Sequence, residues 1–341
     1  MFYYKNESNI NFERAFKDLQ QLFEQRGRWA FEMTKQTILE EKVECKEVEN
    51  AFEYFATKCW RDLARPTLLS LCCEAVGGNP QATISVAICT SLISGGIDIH
   101  DDIIDLSKVK NGRPTIYGKF GKDIALLVGD ALMFKGLILL NALNNEICKE
   151  KIAAISKVLK PMFFELGDAE AMELKFRKQF AISPSEYLAV VRKKAADVEA
   201  HTRIGVILGN GTKKETDILS RYGRNLGMLI ILGDDNVDMV HPEKLLHRIQ
   251  EEHLPFPVLC ALENPKVKPQ VISLMKKEGL KKVDAKELFK VVYDGGGFSR
   301  VEEIMENLIQ EGMIGLEKLR FCRTELESLI RAPFMKKEVS L

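Results

Sequence analysis

Apolar residues recur at spacings of three and four along most of the chain, as in Phe12, Ala15, Phe16, Leu19 and Leu22, and few segments alternate as strands would. The spacing predicts an all-α protein. The punctuation agrees with it. Pro66 suits a first helical turn after Arg65, and Gly77-Gly78-Asn79-Pro80 ends one helix and starts another. Ser183-Pro184-Ser185-Glu186 reads as a cap followed by a first turn, and Gly209-Asn210-Gly211 closes that helix. Two stretches break the helical period, Leu106 to Lys122 and His241 to Pro257. No linker or low-complexity segment divides the chain, so residues 1–341 are expected to form one helical domain.

Each irregular stretch directly follows an acidic cluster. The first cluster is Asp101, Asp102 and Asp105; the second is Asp234, Asp235 and Asp238. Residues four apart share a helix face, so Asp101 pairs with Asp105 and Asp234 with Asp238, each pair presenting a clamp of carboxylate oxygens. Both clusters follow apolar runs, where unpaired carboxylates are costly. A solvated acidic helix end explains one such cluster better than chemistry does; two in the same setting reverse that judgement. Hard oxygen donors with few histidines favour magnesium, which keeps waters and shares its ligands with phosphate. The acid spacing and central glycine of an EF-hand are absent, as are the Glu-x-x-His pairs of a di-iron bundle. His100-Asp101 leaves a metal phosphohydrolase doublet as a weaker reading.

Composition narrows the partners. Lysine plus arginine and aspartate plus glutamate each number 49, so the formal net charge is zero and no broad basic field exists to hold nucleic acid. The eight cysteines (45, 59, 72, 73, 89, 148, 260 and 322) form no Cys-x-x-Cys pair, which argues against zinc. The opening residues Met1 to Lys5 do not read as a signal peptide. Together these features predict free, mostly buried thiols in a reducing cytoplasm. Ile124–Leu143 is broken by Asp130 and Lys135, Leu226–Leu232 runs into acids, and no apolar run of membrane-spanning length or membrane anchor is expected.

The order and separation of several strings resemble the trans-polyprenyl diphosphate synthase family, from about Arg61 to Pro257. His100-Asp101-Asp102-Ile103-Ile104-Asp105, Lys110-Asn111-Gly112-Arg113-Pro114-Thr115 and Gly129-Asp130-Ala131-Leu132 look like its first aspartate-rich region and the segments after it. Leu226-Gly227 through Gly233-Asp234-Asp235-Asn236-Val237-Asp238 looks like the second, and Glu186-Tyr187-Leu188 through Lys193-Lys194 to Gly205 looks like the helix whose lysine reaches the diphosphate. The resemblance implies a helical bundle around a central apolar cavity and a homodimer, for which 125–143 is a plausible interface. It implies three magnesium ions held most directly by Asp101, Asp105 and Asp234, with Asp238 also a ligand. An allylic prenyl diphosphate would ionise and isopentenyl diphosphate would attack the cation. Asp102, Asp235 and Lys194 complete the implied catalytic set, and Arg61, Arg65, Lys110, Lys193 and Lys194 the diphosphate-binding set.

The departures fall on the acceptor half. Trp60-Arg61-Asp62-Leu63-Ala64-Arg65-Pro66 stands where the family has Gly-Gly-Lys-x-x-Arg-Pro, so Asp62 replaces the lysine. Ser94 replaces a His or Gln, Lys110 and Asn111 replace paired arginines, Ala195 follows Lys194 where a threonine is expected, Ile230-Ile231 replace Phe-Gln, and Ala169-Glu170 replace Gly-Gln. Arg248 or His253 could stand in for a lysine expected after the second cluster. A terpene synthase that cyclises or hydrolyses one prenyl diphosphate, and a subunit of a heteromeric synthase, are the alternatives. Gly95, Gly96 and Ile97, just before the first cluster, suggest room for a chain of twenty carbons or more, or else close packing of a neighbouring helix. Asp98 is an extra acid on the same helix, expected at a surface or interface.

Overall fold

A computed structural model of the chain describes residues 7–110 and 112–339, with side chains described over 17–110 and 112–333. Asn111, Met1 to Lys5 and the side chains of Phe12, Ala15 and Phe16 lie outside the described residues. The chain is helical nearly throughout. The helices are α1 (Glu7–Leu39), α2 (Lys46–Tyr54), α3 (Ala64–Ala75), α4 (Ile84–Ile104), α5 (Ile116–Ala142), α6 (Lys149–Phe176), α7 (Pro184–Lys194), α8 (Ala196–Leu208), α9 (Lys213–Val240), α10 (Pro242–Glu251), α11 (Phe256–Leu262), α12 (Lys268–Met275), α13 (Lys282–Asp294), α14 (Gly297–Met313) and α15 (Arg323–Val339). A one-turn π-helix, Phe55–Cys59, extends α2.

Local chemistry sets the helix starts. Ser183 and Glu186 form a reciprocal capping box at α7, with Pro184 in the first turn. Thr212 and Glu215 do the same at α9, Glu215 accepting from Thr212 N at 2.7 Å and donating its own N–H to Thr212 Oγ1 at 3.2 Å. Thr115 Oγ1 accepts from Gly118 N and opens α5. Asn79 accepts from Gln81 N where the chain restarts after Gly77-Gly78.

Both irregular stretches are shorter than their composition predicts. The first ends at Thr115; α5 begins at Ile116 and is interrupted only at Gly121, whose φ of 82° and ψ of 174° kink it. Between Asp105 and Thr115 the chain makes a two-residue antiparallel hairpin, β1 (Val109–Lys110) and β2 (Arg113–Pro114), with Lys110 opposite Arg113. The hairpin is tied down by Tyr54 Oη donating to Pro114 O and Arg113 Nη1 donating to Lys58 O, both at 2.8 Å. In the second stretch α10 is fully formed, because Leu245, Arg248 and Ile249 bury one face at helical spacing. Only residues 252–255 lie between α10 and α11.

The chain packs as two compact units, each drawn from separate segments: 1–159, 201–216 and 319–322 in the first, 160–200, 217–318 and 323–341 in the second. The first unit's core is built by Phe31, Phe55 and Trp60, with Trp60 ring centroids 5.5 Å and 5.4 Å from the two phenylalanines, packed with Leu92, Ile99 and Leu132. The second buries Phe256, Val301 and Met305, and Tyr222 Oη donates to Leu326 O at 2.8 Å. One helix corrects the hydropathy reading. Pro80–Ile104 is long and apolar enough to cross a membrane, yet two thirds of its apolar 18-residue window is buried inside the protein, the composition of a core helix.

Candidate functional site

The first acidic cluster sits where α4 ends. Asp105 is the C-cap and donates its N–H to Asp101 O at 2.8 Å, so the two carboxylates stand one turn apart on one face, both half-buried. Asp102 is turned inward and buried; burial pushes its carboxyl up to about 6, against the pull of Lys110. Lys110, carried by the hairpin, places Nζ 2.6 Å from Asp102 Oδ1 and 3.1 Å from Asp101 Oδ2. Desolvation pulls the ammonium down, but Asp101, Asp102 and Asp98 outweigh it and hold it charged. His100 Nε2 lies 3.2 Å from Asp130 of α5, which gives the histidine a partner other than the cluster.

The other cations expected at a diphosphate in this unit already have acidic partners. Arg61 is exposed and pairs with Glu24 at 2.9 Å. Arg65 Nη1 reaches Asp62 at 3.0 Å and Asp98 at 3.3 Å, and its Nη2 reaches Asp98 at 3.1 Å. Asp62 is buried and also accepts from Ala64 N at 2.9 Å and Arg65 N at 3.1 Å, so the residue that replaces a lysine holds the first N–H groups of α3. Asp98, expected at a surface or interface, is half-exposed and is the bidentate partner of Arg65.

The glycines below the first cluster are closely packed. A methyl group on Gly96 would lie 2.5 Å from Gly129 O of α5, and one on Gly95 would lie 3.0 Å from the Phe55 ring. Gly136 in turn sits against Cys89 O, 2.6 Å from where its own methyl would be. At Gly96 α4 and α5 approach at backbone distance, Gly95 faces the Phe55 ring, and Ile97 is half-buried beside them.

The second cluster lies on α9 in the other unit, and its three aspartates have different surroundings. Asp234 is exposed. Asp235 is buried; Tyr187 Oη donates to it at 2.7 Å and Phe256 N at 3.0 Å, and Arg248 Nη2 lies 2.9 Å away. Burial raises its carboxyl, opposed by Arg248 and the two donors. Asp238 is half-buried between Arg248 Nη1 at 3.0 Å and Lys244 at 3.1 Å. Arg248 thus bridges both acids from α10, and also reaches Glu252 at 3.1 Å. Its Nη2 donates to His253 Nε2 at 2.7 Å. Burial, then Arg248, Lys194 and Arg177, hold His253 well below the usual imidazole range, so it is neutral and accepts at Nε2.

The adjacent lysines part company. Lys194 is half-buried and ion-paired to Glu170 at 2.9 Å and Glu173 at 2.7 Å, both on α6. Glu173 is buried, with Oε1 3.7 Å from His253 Nε2. Lys193 pairs with the exposed Asp168 and lines a separate groove with Arg192, Arg221 and Arg224. After Lys194 the helix breaks at Ala195, which is buried against Gly227 and leaves α7 and α8 as separate helices. Glu173 and the buried roles of Tyr187 and Arg248 were not assigned from sequence; for Glu173 the three-residue spacing from Glu170 along one face of α6 was the available signal. Among the described residues no three His, Cys, Asp or Glu side chains converge into a ready metal cage.

A family model described as polyprenyl synthetase matches residues 46–292, spanning α2 to α13 and both aspartate clusters. The chain belongs to the polyprenyl synthetase family. Among its relatives is a geranylgeranyl diphosphate synthase of Methanosarcina mazei, 28% identical over 277 residues, which cover 80% of this chain and 84% of that protein. A short chain isoprenyl diphosphate synthase of Methanothermobacter thermautotrophicus is 32% identical over 221 residues, 62% of this chain and 66% of that one. The crystal structure of a geranylgeranyl pyrophosphate synthetase from Pyrococcus horikoshii superposes with a TM-score of 0.81 at 25% identity, over 92% of this chain and 98% of the other. As a member of this family the chain is a prenyltransferase, and its all-α architecture is the family's.

Proposed function

We propose that this prenyltransferase condenses an allylic prenyl diphosphate with isopentenyl diphosphate, in a magnesium-dependent reaction, to a prenyl diphosphate of twenty carbons or more. The observation that carries it is the retention of both aspartate clusters inside the span matched by the family. Product length rests on the geranylgeranyl synthases among the relatives.

The donor set fits a hard cation. It is oxygen-only, and the ammonium of Lys110 bridging Asp101 and Asp102 marks a place where positive charge is favoured. Magnesium, three ions in the family reading, would be held by Asp101 and Asp105 in the first cluster and by Asp234 with Asp238 in the second, and would neutralise the departing diphosphate. Lys110 and Lys194 add fixed positive charge for the diphosphate. Lys194 is preferred to Lys193 because it belongs to the network of Glu173, His253 and Arg248. Arg65 is assigned to diphosphate binding, and Arg61 and Lys193, both nearer solvent, to weaker outer contacts.

The family match runs through segments of both compact units, which supports residues 1–341 as one polyprenyl-synthase-like domain. A homodimer is supported by α5, where Leu127, Phe134 and Ile138 lie along one face and are 56%, 62% and 68% exposed. Eight free cysteines and zero net charge suit a reducing cytoplasm and the absence of a nucleic-acid partner. Four of those cysteines are buried, two are partly so and two are exposed.

The test is product analysis with purified protein, magnesium, and farnesyl or geranylgeranyl diphosphate, with and without isopentenyl diphosphate. Elongated diphosphate only in the presence of the acceptor is expected. A hydrocarbon or alcohol formed without the acceptor would overturn the reading in favour of a terpene synthase.

A further inference from the structure

We propose that Asp98 is a specificity-determining residue, which engages the guanidinium of Arg65 and so weakens the hold of this chain on its acceptor diphosphate. The inference rests on the assignment of Arg65 to diphosphate binding. A guanidinium recognises a diphosphate by the same planar fork that it offers a carboxylate. In this structure that fork is closed on an acid. Nη1 and Nη2 each reach one oxygen of Asp98, at 3.3 Å and 3.1 Å, and Nη1 also reaches Asp62 at 3.0 Å.

The two acids are not equivalent. Asp62 is buried and fixed by two backbone N–H groups at the start of α3, so it belongs to the helix whether or not a ligand binds. The Asp98 side chain is 39% exposed and stands on α4 one turn before Asp101 and Asp102. Asp101 and Asp102 follow it by three and four residues, so it shares their side of the helix. Asp98 occupies the guanidinium edge that a diphosphate would use, and its charge opposes an anion docking there. The anion must displace Asp98 and then suffer its repulsion. Arg61 offers little compensation, because it is exposed and faces Glu24.

The test uses Asp98→Asn and Asp98→Leu in the full chain. The KM for isopentenyl diphosphate is measured at saturating allylic substrate and magnesium, and the Kd of isopentenyl diphosphate is measured by calorimetry without turnover. Loss of one charged partner should lower both constants about tenfold, with the KM of the allylic substrate shifted much less. Adding Arg65→Met to Asp98→Asn should abolish the gain. An unchanged or higher acceptor constant, or a gain that survives without Arg65, overturns the proposal. So does unfolding of both single variants, which would make Asp98 a structural tether. Should the chain elongate no allylic substrate, the proposed function fails, while the calorimetric comparison still decides the role of Asp98.

Discussion

Asp102 and Asp235 are the buried members of their clusters, and burial separates their behaviour from that of their neighbours. Asp102 titrates at about 6 in the fold against an ordinary 3.8. The folded state therefore holds its proton more tightly than the open chain does. That contribution to stability is complete below about pH 4 and is lost as the pH rises through 6. Metal-free protein should lose about 2–3 kcal/mol more stability between pH 4 and 7 than Asp102→Asn, read by urea unfolding at each pH. Equal slopes would show that Asp102 does not titrate there. In the second cluster the exposed Asp234 and the buried Asp235 should respond differently. Asp234→Asn should cut kcat/KM roughly a hundredfold with little change in melting temperature. Asp235→Asn should chiefly destabilise, by roughly 3 kcal/mol, because the buried Arg248 loses one of its carboxylate partners.

Helix-to-helix contacts make their own predictions. Arg248 fastens α10 to α9 through Asp235 and Asp238. Arg248→Met should cost about 3–5 kcal/mol and raise amide exchange first in α10, since it leaves Asp235 buried without its cation. Between α4 and α5 the contact is steric. Gly96→Ala places a methyl 2.5 Å from Gly129 O and should cost about 1–3 kcal/mol by overpacking, measured by denaturant unfolding. A stable Gly96→Ala with shortened products would support the pocket reading of these glycines. The tight glycine pairs were visible as residues, but their partners were not: Gly96 and Gly129 are 33 positions apart, and only packing brings them together.

For the whole molecule, the α5 face is an apolar surface that a single chain leaves exposed. Leu127, Phe134 and Ile138 keep the seven- and four-residue spacing of a helix seam while exposed. If this face joins two copies, as proposed, Phe134→Glu together with Ile138→Glu should shift the protein from dimer to monomer in sedimentation equilibrium. A monomeric wild type would remove the interface.

Much of this was legible in the residues themselves. Helical period, the Ser183 capping box and the order of the aspartate strings are local properties, set by spacing within a few positions, so the all-α class and the family follow from them. Helix α10 was hidden although its buried face was periodic, because His241, Pro242 and a run of charges masked the pattern. What only the tertiary structure decided is which charges meet. Six aspartates of one residue type look alike in sequence, yet Asp234 is exposed, Asp235 is buried under Tyr187 and Arg248, and Asp102 is clasped by Lys110. Asp98 and Arg65 are 33 positions apart, and their pairing follows from the contact between helices, on which the energy of a charge depends far more than on its neighbours along the chain.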